Sequence, residues 1–377
     1  MNTPSRRPLT SKPVTLQDIA ESCGVSKMTV SLALRHDARI SAATTARVQA
    51  AAEELGYDAA HQEAARRLAL RKHGQEVINR LVAIIFPPNF IRARYFSDIF
   101  RGLLEVLTPE GFGLLTTGLD KLADIQSLPI VYNRGEVDGL VVYAAMTDQP
   151  LLTEMQMTRG LRQRPFVVLF GSFPHSMSVL TDDRLGAYQA AGHLLDLGHR
   201  QLLQFVFRDK EPRMDQRLDG IRTAMRERGI APEMQLHQHE LITGWMNPET
   251  LENYIDGDAT TPPEQGKTLI EYLRAHPEIT AVMGINDADA IHICHVLRQA
   301  GYRVPDDISV VGFDDTDPLP GAQGRNELTT VHLPLVEVGQ TAARLLIAQV
   351  TGQPADSTQV TLPTSLIVRG STGPAKR

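Results

Sequence analysis

The chain has 377 residues, 42% of them hydrophobic and 22% charged, with a formal net charge of −6. That length exceeds one comfortable core and implies two or three domains, and the composition is that of a soluble globular protein. No run approaches the roughly 20 apolar residues of a membrane helix, so a membrane protein is excluded as an expectation. Two distant cysteines, Cys23 and Cys294, make no disulfide framework, and the polar, basic residues 1–13 do not resemble a signal peptide; a cytoplasmic location is expected. The charge is uneven: eleven Lys/Arg face seven Asp/Glu in residues 1–75, leaving 27 against 37 in the remainder. A basic head on an acidic body suits a phosphate-binding module joined to a receptor.

Residues 1–13 read as a basic disordered tail. Thr15 can then cap a first helix, with Asp18 closing a capping box, and Leu16, Ile19 and Ala20 share one face. Cys23-Gly24-Val25 forms a short turn in which Gly24 tolerates a left-handed backbone. Ser26 can cap a second helix whose Val30, Ala33 and Leu34 face inward while Lys27, Met28, Thr29 and Ser31 lie near its exposed start. Two short helices at this spacing are a helix-turn-helix, which inserts the start of its second helix into the DNA major groove. Ser41 can cap a third helix, about Ala43 to Leu55, stopped by Gly56. The expected DNA-binding headpiece spans 14–60. A short helical segment from His61 to Leu70 reads as a hinge, within a hinge and linker at 61–78.

From Arg80 apolar runs alternate with helix-length amphipathic stretches. The runs are Leu81–Phe86, Gly113–Thr117, Gly139–Ala144, Phe166–Gly171, Leu202–Phe207, Ala281–Ile285 and Ser309–Phe313; the helices include Phe96–Leu107, Leu185–Leu197, Met214–Arg228 and Asp287–Ala300. Continuous apolar strands between helices predict parallel sheets covered on both faces. Their number predicts an α/β core at 79–377 built from two doubly wound parallel-sheet subdomains, with a ligand in the cleft at the strands' carboxyl ends. His237 to Gly266, which contains Trp245, lacks periodicity and is expected to be a long loop with a partial helix near Pro248–Ile255.

Several blocks, in order, resemble the lac-repressor (LacI/GalR) family of bacterial transcription regulators: Val14-Thr15-Leu16 with Asp18-Ile19-Ala20, Gly24-Val25-Ser26 with Thr29-Val30-Ser31, Leu197-Gly198-His199, Asn286-Asp287, Val304 to Thr316, Leu328 to Val331, and Leu366 to Thr372. The resemblance covers nearly all of the chain from Val14. It implies a periplasmic-binding-protein-like core, with an N-subdomain at about 79–197 and 335–363 and a C-subdomain at about 198–332 and 364–377. It also implies a homodimer, or a tetramer made of two such dimers, reading a pseudo-palindromic double-stranded operator under the control of a small-molecule effector, with a carbohydrate as the family default.

The same resemblance assigns Lys27 and Met28 to base edges, and Ser26, Thr29 and Ser31 to positioning on phosphates. Arg35 and Arg39 are expected on the DNA backbone, with Thr15 and Tyr57 completing the headpiece set. Arg66, Arg67 and Leu68 match a hinge that wedges a leucine into the minor groove. Leu32 stands where the family usually has an arginine, which predicts an altered base preference. Arg217, three residues before Gly220, matches an arginine that grips effector oxygens. Asp314, Asn286 or Asp287, Tyr95 and Phe96, Trp245, and the weaker pair Asp182 and Asp183 complete the expected effector site.

His199 is expected to pack or cap near the subdomain crossover. The 12 histidines show no metal-ligand spacing, and no phosphate loop or nucleophile elbow is visible; no metal, no cofactor and no catalysis are expected. The rival readings are a sugar receptor of the periplasmic-binding type that does not bind DNA, an enzyme of the doubly wound class, and a purine or other metabolite acting as corepressor.

Overall fold

Capping chemistry sets the first three helices, α1 (Leu16–Cys23), α2 (Lys27–Leu34) and α3 (Ala42–Leu55). Thr15 Oγ1 accepts from the Asp18 amide while the Thr15 amide donates to Asp18 Oδ2 at 2.6 Å, a complete capping box. Gly24 ends α1 at φ 63° and Gly56 ends α3 at φ 71°, both left-handed. Ile19, Ala20, Val30, Ala33, Val48, Ala51 and Ala52 close into a small core of their own. This group belongs to a unit spanning Met1–Val77, and a second unit spans Ile78–Arg377. The computed structural model describes residues 14–34, 37, 39–57, 78–86, 94–118, 130–133, 135–143, 164–172, 176–207, 212–241, 263–321, 324–353 and 358–376.

The second unit repeats one pattern twice. Its elements in order are β1 (Leu81–Phe86), α4 (Arg94–Leu107), β2 (Gly113–Gly118), α5 (Ile130–Asn133), β3 (Gly139–Tyr143), β4 (Phe166–Leu169), β5 (Met177–Thr181) and α6 (Asp183–Asp196), then β6 (Leu202–Phe207), α7 (Pro212–Glu227), α8 (Pro232–Gln235), β7 (Leu236–Leu241), α9 (Pro263–Ala275), β8 (Ala281–Met283), α10 (Asp287–Gln299), β9 (Ser309–Asp314) and β10 (Thr329–His332), and last α11 (Leu335–Val350), β11 (Gln359–Leu362) and β12 (Ser365–Ile367). One six-stranded sheet runs β11-β5-β4-β3-β1-β2 and the other β12-β10-β9-β8-β6-β7. The pairings are parallel except that β12 lies antiparallel to β10. In each sheet the order reverses beside the first strand (β1/β3 and β6/β8), the place where open α/β sheets bind ligands beyond their carboxyl ends.

Period-2 burial explains the layering. Val82 and Ile84 pack into one cluster with α4 and α11, while Ala83 and Ile85 pack with Tyr132 and Val137 on the opposite face. Leu203, Val282 and Val310 bury one face of the second sheet against α10, and Leu202, Ala281 and Val311 the other against α6 and α7. Close helix packing needs glycine at two crossings: a Cβ on Gly102 would lie 2.0 Å from the Val336 carbonyl oxygen, and one on Gly220 2.2 Å from that of Arg184.

Two expectations are corrected here. Helix α6 packs on α7, β10 and β12, so the first subdomain ends at Thr181, not near 197. The chain passes between layers at 181–183, 332–335 and 362–365, and the first and last of these are tied together by the Asp182 amide donating to the Leu362 carbonyl (2.9 Å) and Thr364 Oγ1 donating to the Asp182 carbonyl (2.8 Å). Second, the irregular stretch expected from His237 opens with β7 and closes with α9 from Pro263. His199 is buried, and its Nε2 and Nδ1 meet the Gly373 carbonyl (3.0 Å) and Thr280 Oγ1 (2.7 Å), fixing the C-terminal segment rather than a crossover. The expected hinge helix at His61–Leu70 and the partial helix at Pro248–Ile255 lie outside the described residues.

Candidate DNA-reading helix and effector cleft

The start of α2 presents what a groove-reading helix needs. Ser26 Oγ accepts from the Thr29 amide at 3.0 Å and meets Thr29 Oγ1 at 2.8 Å, so these two hydroxyls are first of all a cap. That cap leaves Lys27 and Met28 projecting outward, with Met28 70% exposed. Methionine and lysine are residue types that can meet a thymine methyl and a guanine edge in the major groove. Ser31 is half-buried one turn on. Arg39 forks onto Asp37, Nε to Oδ1 at 2.9 Å and Nη2 to Oδ2 at 2.7 Å, so its charge is locally matched. Thr15 serves the capping box, and the half-buried Tyr57 packs on the headpiece core. Arg35, Arg66, Arg67 and Leu68 lie outside the described residues.

In the second unit, buried charge gathers at the carboxyl ends of the strands, around Asp183. Its side chain is 1% exposed at the first turn of α6 and accepts from Thr181 Oγ1 (2.6 Å), Arg217 Nε (2.7 Å), Arg213 Nε (3.2 Å) and Arg213 Nη2 (3.2 Å). Burial pushes its pKa up, but the Arg213 and Arg217 charges together with the Thr181 and Arg217 hydrogen bonds outweigh that and bring it down to about 2. Arg217 also donates through Nη1 to the Ile285 carbonyl (2.6 Å), its guanidinium 3.5 Å from the Phe313 ring centroid. Arg213 lies 4.6 Å from the Phe170 ring centroid and donates to the Tyr95 hydroxyl at 3.4 Å. Tyr95, Tyr143 and Phe170 meet one another at centroid distances of 5.6 to 6.3 Å and form an aromatic wall.

The backbone marks the same place. Phe170 follows β4 with φ 60°, and Asp314 and Asp315 close β9 with φ 105° and 59°. β4 and β9 hold equivalent positions in the two sheets, and left-handed non-glycine residues are held only where the surroundings enforce them, often at functional sites. Burial pushes the Asp314 carboxyl up to about 7, with Arg217 and Arg213 opposing and Asp183 and Asp317 reinforcing.

The expected effector residues divide accordingly. Arg217, Asp314 and Tyr95 come together. Phe96, 3% exposed, is a core residue and not a ring on the cleft, because it lies one position further round α4 than Tyr95. Asp182 caps α6, its Oδ1 accepting from the Leu185 amide at 2.8 Å; the adjacent Asp183 is the one that enters the charge cluster. Asn286 caps α10, its amide oxygen accepting from the Asp289 amide at 2.8 Å. Asp287 is wholly buried and spent internally on Thr330 Oγ1 and the Thr316 and Asp317 amides, so it braces the loop after β9. Trp245 lies outside the described residues. Sequence reasoning missed Arg213, Tyr143, Phe170 and Phe313; Arg213 and Arg217 are i, i+4 on one helix, a face-sharing signal that was available. Among the described residues no group of three His, Cys, Asp or Glu side chains could hold a metal, and no helix is long and apolar enough to cross a membrane.

Comparison with known proteins accords with both halves. Residues 15–59 match the family described as bacterial regulatory proteins, lacI family, and residues 191–372 the periplasmic binding protein-like domain. The chain is 30% identical over 376 residues to the HTH-type transcriptional regulator MalR of Streptomyces coelicolor, covering 96% of this chain and 97% of that one. A LacI family transcriptional regulator from Enterococcus faecium, solved with bound ribose, is similar at 27% identity and TM-score 0.62 over 78% of this chain and all of that one. The lac repressor dimer bound to operator and the anti-inducer ONPF shares the fold at 23% identity, with TM-score 0.68 over 96% of this chain and 100% of that one. A capping-box helix-turn-helix followed by two sheets of matching strand order thus has its counterpart along the whole chain, which belongs to the lacI family of bacterial regulatory proteins and is a DNA-binding transcriptional regulator.

Proposed function

We propose that this chain is a cytoplasmic repressor without catalytic activity that binds a pseudo-palindromic operator as a homodimer, released or held by a neutral, hydroxyl-rich effector of carbohydrate type. The observation that carries the effector class is the charge balance of the cleft. Arg213 and Arg217 share the Asp183 carboxylate, which leaves at most one positive charge in excess, with the Asp314 carboxyl close by and an aromatic wall opposite. Such a site has forked donors, a carboxyl acceptor and apolar faces but little net positive charge, which suits vicinal hydroxyls better than a phosphate. Bound ribose in the Enterococcus faecium relative supports the same class.

A thermal-shift series on the purified chain with ribose, cellobiose, maltose, their phosphates and purines tests this reading. One of the neutral sugars at about 100 times its dissociation constant is expected to add roughly 2.7 kcal/mol of stability. Arg217→Ala is expected to remove that shift while leaving DNA affinity intact. A response to purines or phosphates alone would overturn the sugar reading.

The headpiece assignment predicts a different pattern. Lys27→Ala is expected to relax operator preference by about 1–3 kcal/mol at one base pair, whereas Arg35→Ala weakens all sequences alike and lowers the salt slope by about one. Fluorescence anisotropy on operator variants at several salt concentrations separates the two; equal scaling of every sequence in both variants would show that Lys27 reads no base.

A further inference from the structure

Of the two arginines on Asp183, only one leaves its own layer. Arg217 is held by Asp183, the Ile285 carbonyl and the Phe313 ring, all within the second sheet and the helices on it. Arg213, one turn earlier on α7, shares the Asp183 anchor but lays its guanidinium on Phe170 at the end of β4 and points Nη1 at the Tyr95 hydroxyl on α4. Its side chain is 12% exposed. Asp183 itself sits at the crossover, two residues after Thr181, the last residue of β5. One side chain therefore joins the crossover, the second layer and the aromatic wall of the first.

We propose that Arg213 is a positioning residue that clamps the two sheet layers of the second unit together without ligand, so that the resting chain keeps its cleft closed. The physical reason is that its three contacts can be made together only in the closed arrangement. Opening would strip the guanidinium from the Phe170 face and the Tyr95 hydroxyl while Asp183 still holds its other edge. A cation over a desolvated ring is attracted strongly enough for this loss to matter. An entering ligand would have to take over these contacts. The clamp deepens the reading of this cleft as an effector site, but its test needs neither effector nor DNA, so the two can fail separately.

The measurement is a spin-label distance across the cleft in the full-length chain. Labels are placed at Glu110→Cys, in the exposed turn after α4, and Met234→Cys, 80% exposed on α8. The background is Cys23→Ser; Cys294 is fully buried and stays unlabelled. Dilution with excess unlabelled protein restricts the signal to distances within one chain. The wild type is expected to give one narrow distance. Arg213→Met is expected to add a longer one, its open fraction raised about tenfold, equivalent to about 1.4 kcal/mol, and Arg213→Lys to restore part of the short distance. Should Arg213→Met fail to fold, Tyr95→Phe and Phe170→Leu test the same bridge from the other side with the Asp183 charge balance intact. They are expected to shift the distribution the same way by less. A wild type that is already broadly open, or distributions unchanged in Arg213→Met or in both wall variants, would overturn the clamp.

Discussion

Replacing Asp183 with Asn is expected to cost about 3–5 kcal/mol of unfolding free energy at pH 7, because it leaves two buried guanidiniums facing each other without their shared carboxylate. Asp183 is 1% exposed, and Arg213 and Arg217 are 12% and 8% exposed, so water cannot replace the lost partner. The neighbouring substitution is the control. The Asp182 side chain caps α6, and Asn is about as good a cap as Asp and keeps the backbone bonds, so Asp182→Asn is expected to cost a few tenths of a kcal/mol. Acid should act on the wild type in the same sense. The folded pKa of Asp183, about 2, lies below its ordinary value, so its contribution is present in full above about pH 4 and is lost as pH falls through 2. Urea denaturation of the three proteins at pH 7, with the wild type repeated toward pH 3, measures both effects. Equal costs for the two adjacent substitutions would show that Asp183 does not hold the arginines in solution.

That contrast also shows where the sequence was legible. The headpiece could be read residue by residue because its signals are local: Thr15 with Asp18, Ser26 with Thr29, and the left-handed glycines Gly24 and Gly56 act within one turn of chain. Strands β1 to β4, β6, β8 and β9 were equally visible as apolar runs, but the buried β5 and β10, which carry Ser178, Thr329 and Thr330, were not. Strand β7, Leu-His-Gln-His-Glu-Leu, was not visible either, because among the described residues it is an edge strand pairing only with β6 and carries no apolar run. The candidate effector site was blurred by one residue at several points. Asp182 and Asp183, Tyr95 and Phe96, and Asn286 and Asp287 are adjacent pairs at helix starts, and which member caps, packs or reaches the cleft depends on where the first turn begins. Helix-layer assignment is non-local too. Nothing within α6 says that it packs on the sheet that follows it rather than the one before.

Asp289 carries the second large effect, and its sign depends on pH. Its Oδ2 accepts from the Ile285 amide at 2.9 Å, while Oδ1, shielded from solvent, has no hydrogen-bond partner among the described residues. Burial pushes this carboxyl up to about 7, opposed only by the Ile285 hydrogen bond. Unlike Asp314 and Asp287, which influence each other, it has no charged group shifting it, so its titration can be isolated. A folded pKa above the unfolded one means that its stabilising contribution is complete below about pH 4 and is lost as pH rises through 7. A shift from 3.8 to about 7 corresponds to about 4 kcal/mol. Asp289→Asn keeps the acceptor for Ile285 and removes the charge. The new amide N–H lacks a partner and carries its own cost of about 1–3 kcal/mol at every pH. The stability of the variant relative to the wild type is therefore expected to rise by about 4 kcal/mol between pH 4 and pH 8, whatever the constant offset. The buried histidines His199 and His292, whose pKa values are lowered by burial, titrate in both proteins and cancel in the difference. Denaturation curves for the pair at four pH values give that slope. A flat difference would mean that Asp289 finds a partner or solvent in the folded chain, and that the end of β8 is more open than its packing against α10 implies.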